Sequence, residues 1–166
     1  MIAFDTTFLT LMFVPGAKHA IADAEERIRF LISDIHGSGE KILIPTPALS
    51  EILVKSGPAK NQIATELTGS PKFQIGSFDV KSALELATMT DAAFTRGDKR
   101  DGAKGPYVKV KFDRQVVAIA KAYGARTMYS DDGDVKAICE REELPCLGVA
   151  DIVVPAKNWG LFGEKI

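Results

Sequence analysis

Four acidic residues stand at points where a folded chain could gather them: Asp5, Glu51, Asp113 and Asp132. Carboxylates brought within a few ångströms of one another repel, and such a group persists only if it is protonated or holds a cation. Hard oxygen donors without clustered His or Cys suit Mg2+ or Mn2+. A divalent ion in an open carboxylate site lowers the pKa of a bound water and holds a phosphodiester, and two such ions about 3.5–4 Å apart stabilise attacking and leaving oxygens together. The chemistry to expect is metal-assisted phosphodiester hydrolysis. Each acid also has a plainer reading. Asp113 and Asp132 precede helical patterns and could be helix caps, and Glu51 could be a solvated helix residue. Asp5 is harder to set aside, because an acid ending a buried apolar strand is costly without a partner.

The elements that must position these acids follow from the pattern. Met1–Phe4 is a short apolar run ending at Asp5. Ile21, Ala24, Ile28, Leu31, Ile32 and Ile35 recur at helical spacing, and Gly37 and Gly39 stop that helix. Lys41–Ile44 reads as a buried strand, and Thr46-Pro47 as the cap and first position of a helix over about 47–55. A helix near 59–68, a strand at 72–75 and a helix from the cap Asp79 to about Phe94 come next. Asp113 then opens a helix with Val116, Val117, Ala120 and Tyr123 on its apolar face, and Gly124 ends it. A strand at 126–129, a helix at 132–143 and a short strand at Cys146-Leu147 close the pattern. Alternating strands and helices predict an α/β fold with a mainly parallel sheet. In such sheets the site lies beyond the carboxyl ends of the strands, which is where Asp5, Glu51, Asp113 and Asp132 fall.

Four segments carry a family resemblance. They are Ile2-Ala3-Phe4-Asp5-Thr6-Thr7, the run from Ile44 through Pro47 and Glu51 to Ile52, the run from Phe112-Asp113-Arg114-Gln115 to Ala120, and the run from Met128 through Ser130-Asp131-Asp132-Gly133-Asp134 to Val135. In order and spacing they resemble the PIN-domain family, especially the VapC-type ribonuclease toxins of toxin–antitoxin pairs. The resemblance implies a PIN-like three-layer α/β/α sandwich with a mainly parallel sheet of about five strands. It implies that Asp5, Glu51, Asp113 and Asp132 are the catalytic acids, with Asp5, Asp113, Asp132 and Asp134 as ligands of Mg2+ or Mn2+. Ser130 takes the place of the family's threonine, and Thr6 is a polar neighbour of the metal; both are expected at the substrate. Asp131 falls on a variable position. Arg114-Gln115 stand where the family carries an apolar residue or Ala, and Val135 replaces the common Phe. RNA as substrate, a homodimer and an antitoxin partner are further expectations of the family.

The segment 96–112 holds six basic residues (Arg96, Lys99, Arg100, Lys104, Lys109, Lys111) against Asp98 and Asp101. It reads as a basic loop, with Val108, Val110 and Phe112 alternating with Lys109 and Lys111 as a short extended arm. Lys109 and Lys111 are candidate phosphate contacts and Tyr107 a candidate base-stacking residue; a solvated loop is the ordinary alternative.

The remaining features narrow the class. The chain has 166 residues, is 46% hydrophobic and carries a net charge of −1, which suits one domain over 1–166 with a tail from about 148. No global basic signature is present. Apolar runs are too short to span a membrane and no signal peptide is evident, so a cytoplasmic protein is expected. Cys139 and Cys146 form neither a disulfide framework nor a zinc motif and read as reduced core residues. His19 and His36 lack ligand spacing and read as surface residues. Trp159, Leu161 and Phe162 are expected to cover the domain's own core or to meet a partner. A phosphatase using Asp5 as nucleophile would need an acid where Thr7 stands, and a receiver domain would need an acidic pair near the first strand. The remaining alternative is a PIN-like module that binds RNA or protein without cutting.

Overall fold

The computed structural model describes residues 1–155. Five parallel strands form one sheet in the order β3-β2-β1-β4-β5: β1 (Ile2–Phe4), β2 (Ile42–Pro45), β3 (Phe73–Gly76), β4 (Met128–Tyr129) and β5 (Cys146–Leu147). Ile2 pairs with Ile42 and Ala3 with Met128, so β1 is the central strand. Alternate residues of the strands enter two separate cores, as the two-residue period of a strand requires. Ile2, Phe4, Ile42 and Ile44 face one core with α1 (Thr6–Phe13), α2 (Ala24–Ser38), α3 (Thr46–Lys55) and α4 (Lys60–Gly69). Ala3, Leu43 and Met128 face the other with α5 (Val80–Thr95), α6 (Tyr107–Ala122) and α7 (Gly133–Arg141). This is the expected three-layer α/β/α sandwich. Among the described residues no helix is long and apolar enough to cross a membrane.

Two elements differ from the sequence reading. The first is α1, which the reading lacks. Its sequence Thr-Thr-Phe-Leu-Thr-Leu-Met-Phe has only three threonines as polar residues, and these are β-branched, so neither periodicity nor propensity marks it strongly. The Asp5 carboxylate supplies the start, accepting from the backbone N–H of Thr7 (2.8 Å) and of Phe8 (3.3 Å). The second is α6. Residues 107–112 are helical, not an extended arm, so Asp113 does not open the helix but lies in its second turn. Pro106 sets the N-terminus. The apparent alternation resolves into a helix face on which Val110 is fully buried while Val108 and Phe112, one turn apart, are exposed.

The rest of the basic loop is held down from beneath. Arg114, the residue that departs from the family pattern, is 1% exposed. Its Nη2 donates to Asp101 Oδ2 at 2.6 Å and to the Lys99 carbonyl at 2.9 Å. Arg96 reaches the other oxygen of Asp101 at 2.6 Å. Asp101 itself takes a left-handed backbone (φ 54°), a conformation these bonds stabilise. Lys99 lies over the Tyr107 ring, 5.2 Å from its centroid, and Tyr107 packs on the second core instead of presenting a free ring. The segment after β5 turns back across α2, where Arg27 donates to the carbonyls of Ala150 (3.1 Å) and Ile152 (2.5 Å). The apolar residues Trp159, Leu161 and Phe162 lie outside the described residues. Cys139 is buried, Cys146 is half-buried, and both are free thiols.

Removing one partner of a buried ion pair leaves the other uncompensated. Asp101→Ala is therefore expected to destabilise the protein by about 3–5 kcal/mol, measured by urea unfolding. A loss under about 1 kcal/mol, the range of exposed ion pairs, would mean that Arg114 finds water instead.

Candidate functional site

The parallel sheet puts the ends of β1, β2 and β4 at one edge, and each strand delivers an acid there. Asp5 follows β1 directly, Asp132 follows β4 as the cap of α7, and Glu51 stands in the second turn of α3 after β2. The packing of α6 beside α3 and α7 adds Asp113. A cleft of about 370 Å³ is lined by Asp5, Thr6, Thr7, Glu51, Asp113 and Asp132, with Lys109 and the apolar Val108 and Phe112 on its α6 side.

Asp5 is buried, and both of its oxygens accept hydrogen bonds. One accepts from the Thr7 hydroxyl (2.6 Å) in addition to the two α1 amides. The other accepts a short hydrogen bond from the Ser130 hydroxyl. Ser130 is wholly buried and accepts in turn from the Asp132 N–H at 3.0 Å, so it links two of the acids. Burial raises the Asp5 pKa from 3.8 to about 6, and the hydrogen bonds from Ser130, Thr7 and Phe8 offset part of that rise.

Asp113, Asp132 and Asp134 come together more closely: one oxygen of each lies within 4.8 Å of the others. Asp132 uses Oδ1 to cap α7, accepting from the N–H of Asp134 (2.8 Å) and of Val135 (3.4 Å). Asp134 uses Oδ1 to hold the chain before α6, accepting from the N–H of Lys104 (2.8 Å) and of Gly105 (3.2 Å). Gly105 is needed for that approach, since a Cβ there would stand 2.3 Å from Asp134 Oδ2. Burial pushes the Asp113 carboxyl up, and Lys109 counters it. Burial also acts upward on Asp134, but the Lys109 ammonium and the two amides prevail and leave it below the usual carboxylate range.

The other candidates separate. Glu51 lines the cleft from an exposed position and makes no hydrogen bond or ion pair among the described residues. Thr6, buried, also lines the cleft. Lys109 points inward: its Nζ lies 2.7 Å from Asp113 Oδ2, 2.9 Å from Asp132 Oδ2 and 3.0 Å from Asp134 Oδ2. Lys111, two residues on, falls on another face of α6 and is exposed. The two lysines therefore do not act as one basic flap. Asp131 faces away from the cluster. It accepts from the Val149 N–H (3.2 Å) and pairs with His19 (3.0 Å), so its alternation with Asp132 assigns it to bracing the tail. His19 is thus half-buried and partnered, not a free surface residue. Two contributors escaped the sequence reading. Thr7, two residues after Asp5 in an Asp-Thr-Thr triplet, was legible only as the absence of a second acid. Gly105 was one glycine among several in a loop.

No family model matches the chain, and no curated protein sequence does. Solved structures do. VapBC2 from Rickettsia felis, bound to a DNA fragment from its promoter, aligns at TM-score 0.60 and 16% identity over 89% of this chain and 98% of that one. FitAB bound to the IR36 DNA fragment aligns at 0.56 and 16% over 90% and 95%. Mycobacterium tuberculosis VapC20, described as a sarcin–ricin loop cleaving toxin, aligns at 0.55 and 16% over 82% and 94%.

The raised Asp5 pKa fixes the sign of a pH effect. Between pH 3.8 and about 6 the folded state binds a proton that the unfolded chain has released, so this group's stabilisation is complete below 3.8 and is lost as pH rises through 6. In metal-free protein the loss attributable to Asp5 is expected to be on the order of 3 kcal/mol. Urea unfolding across pH 4–7 should show it in the wild type and lack it in Asp5→Asn; identical profiles would refute the shift. Sheet order, layers and near-complete coverage of the neighbours agree: this chain has a VapC-like PIN-domain fold.

Proposed function

We propose that the protein is a Mg2+- or Mn2+-dependent endoribonuclease. The observation that carries the reading is the convergence of Asp113, Asp132 and Asp134 within 4.8 Å, in continuity with the cleft that Asp5 and Glu51 line. The donor set fits a hard divalent cation: it is all carboxylate oxygen, half-buried, and open to solvent on one side. Asp5, Asp113, Asp132 and Asp134 are the residues we assign to holding it. When bound, the ion supplies Lewis acidity toward a phosphodiester oxygen and lowers the pKa of a coordinated water.

The chain's own groups do the rest. Ser130 and Thr7 donate to Asp5 and fix its carboxylate in place, which keeps the acid oriented before a substrate arrives. Cation binding favours the charged form of Asp5, opposing the burial that raises its pKa. Glu51, on the solvent side of the cleft and without a partner among the described residues, would accept a proton from an attacking water. Thr6 lines the floor where a phosphate or ribose hydroxyl would lie. Lys111, exposed beyond the cleft, is assigned to the RNA backbone.

The fold neighbours support a place in a toxin–antitoxin pair with an antitoxin protein as partner; a homodimer and RNA in the cytoplasm as substrate are what the family resemblance implies. VapC20 is described as cleaving the sarcin–ricin loop.

Cleavage of RNA with Mn2+ or Mg2+ is expected to stop in EDTA and to fall roughly 100-fold or more in Asp113→Asn. Cleavage that persists in EDTA would overturn the metal mechanism, and no cleavage of any RNA would favour a binding module. Lys111→Ala should lower the slope of log affinity against log salt by about one while leaving metal affinity unchanged; an unaltered slope would remove Lys111 from the interface.

A further inference from the structure

Lys109 completes the acid cluster in a way that metal binding alone does not require. An ammonium carries three N–H donors. Here three carboxylate oxygens, one each from Asp113, Asp132 and Asp134, lie 2.7–3.0 Å from its nitrogen. These are the residues that could otherwise gather around an ion. Two of them cannot swing to new positions without losing other bonds, because Asp132 Oδ1 caps α7 and Asp134 Oδ1 holds the Lys104 and Gly105 amides. Lys109 is placed by the helix itself, one turn before Asp113 on the same face of α6. The cradle is therefore built around a cation that the chain already owns.

We propose that Lys109 is a resident cation standing where a metal ion would otherwise sit among Asp113, Asp132 and Asp134, so that the site takes a single divalent ion and uses the ammonium in place of a second. The inference rests on the metal-dependent reading above. The divalent ion is left the cleft side of the cluster, which Asp5, Glu51, Asp113 and Asp132 line and where Glu51 has no partner among the described residues. Of the four ligands assigned above, Asp134 then serves the ammonium alone, and Asp113 and Asp132 stand between the two cations. The division of labour follows from the chemistry of the two cations. A divalent ion polarises water and phosphoryl oxygen. An ammonium does neither, but it neutralises a carboxylate and donates hydrogen bonds to a charge developing on an adjacent oxygen. Being tethered, it stays at its post whatever the free metal concentration.

The test is to count bound Mn2+ on the full chain, without substrate, by electron paramagnetic resonance and calorimetry. Wild type is expected to bind one ion per chain at saturation. Lys109→Met, whose side chain keeps the length and loses the charge, is expected to bind two, with circular dichroism confirming that it is folded. Two ions on the wild type would overturn the proposal without recourse to the variant, because the ammonium would then yield to metal. One ion on both proteins would also overturn it, since Lys109 would hold no cation position, yet would leave the metal-dependent reading standing. No ion on either would overturn both readings together.

Discussion

Like charges converge at one edge of this sheet, and the surroundings of each acid are arranged to make that tolerable. A carboxylate with no compensation beside others at a strand end would cost several kcal/mol. Asp5 is compensated by donors: two hydroxyls and two amides surround a buried group. Asp113, Asp132 and Asp134 are compensated by charge, through the single ammonium of Lys109. The first solution is rigid, and the second rides on a long side chain at the mouth of the cleft. One site therefore combines a fixed floor with an adjustable wall.

The fold serves this arrangement through connections that carry little chemistry. The Asp101–Arg114 pair ties the chain before α6 to the helix that bears Lys109 and Asp113. Asp134 ties that same chain to the start of α7 through the amides of Lys104 and Gly105. Asp131 ties the end of β4 to the tail and to His19. Acids that look equivalent in the sequence thus divide into those that face the cleft and those that lace segments together around it.

Much of this was legible in the sequence. The parallel sheet followed from alternating apolar runs and helical periodicity, and the edge at which Asp5, Glu51, Asp113 and Asp132 meet followed from the sheet. What was not legible had identifiable causes. Helix α1 hid because threonines are its only polar residues, a contrast too weak to carry a 3.6-residue signal over eight positions. The start of α6 hid because a few residues of Val-Lys-Val-Lys-Phe satisfy a two-residue period as well as a helical one. That ambiguity also made Lys109 a phosphate contact in the reading, since its direction toward the acids depends on the helical phase. The buried role of Arg114 depended on a partner thirteen residues away across a loop whose path no local pattern encodes.

Asp5 and Asp132 each cap a helix, whereas Asp113, in mid-helix, caps nothing and has Lys109 as its hydrogen-bonding partner. A lineage that abandoned the chemistry would still be held to the two caps by the demands of folding. Asp113 and the exposed Glu51, which cap nothing, would be free to drift. Among relatives of this chain, the first and last acids are therefore poor markers of a working enzyme, and the acids of α3 and α6 are the informative ones.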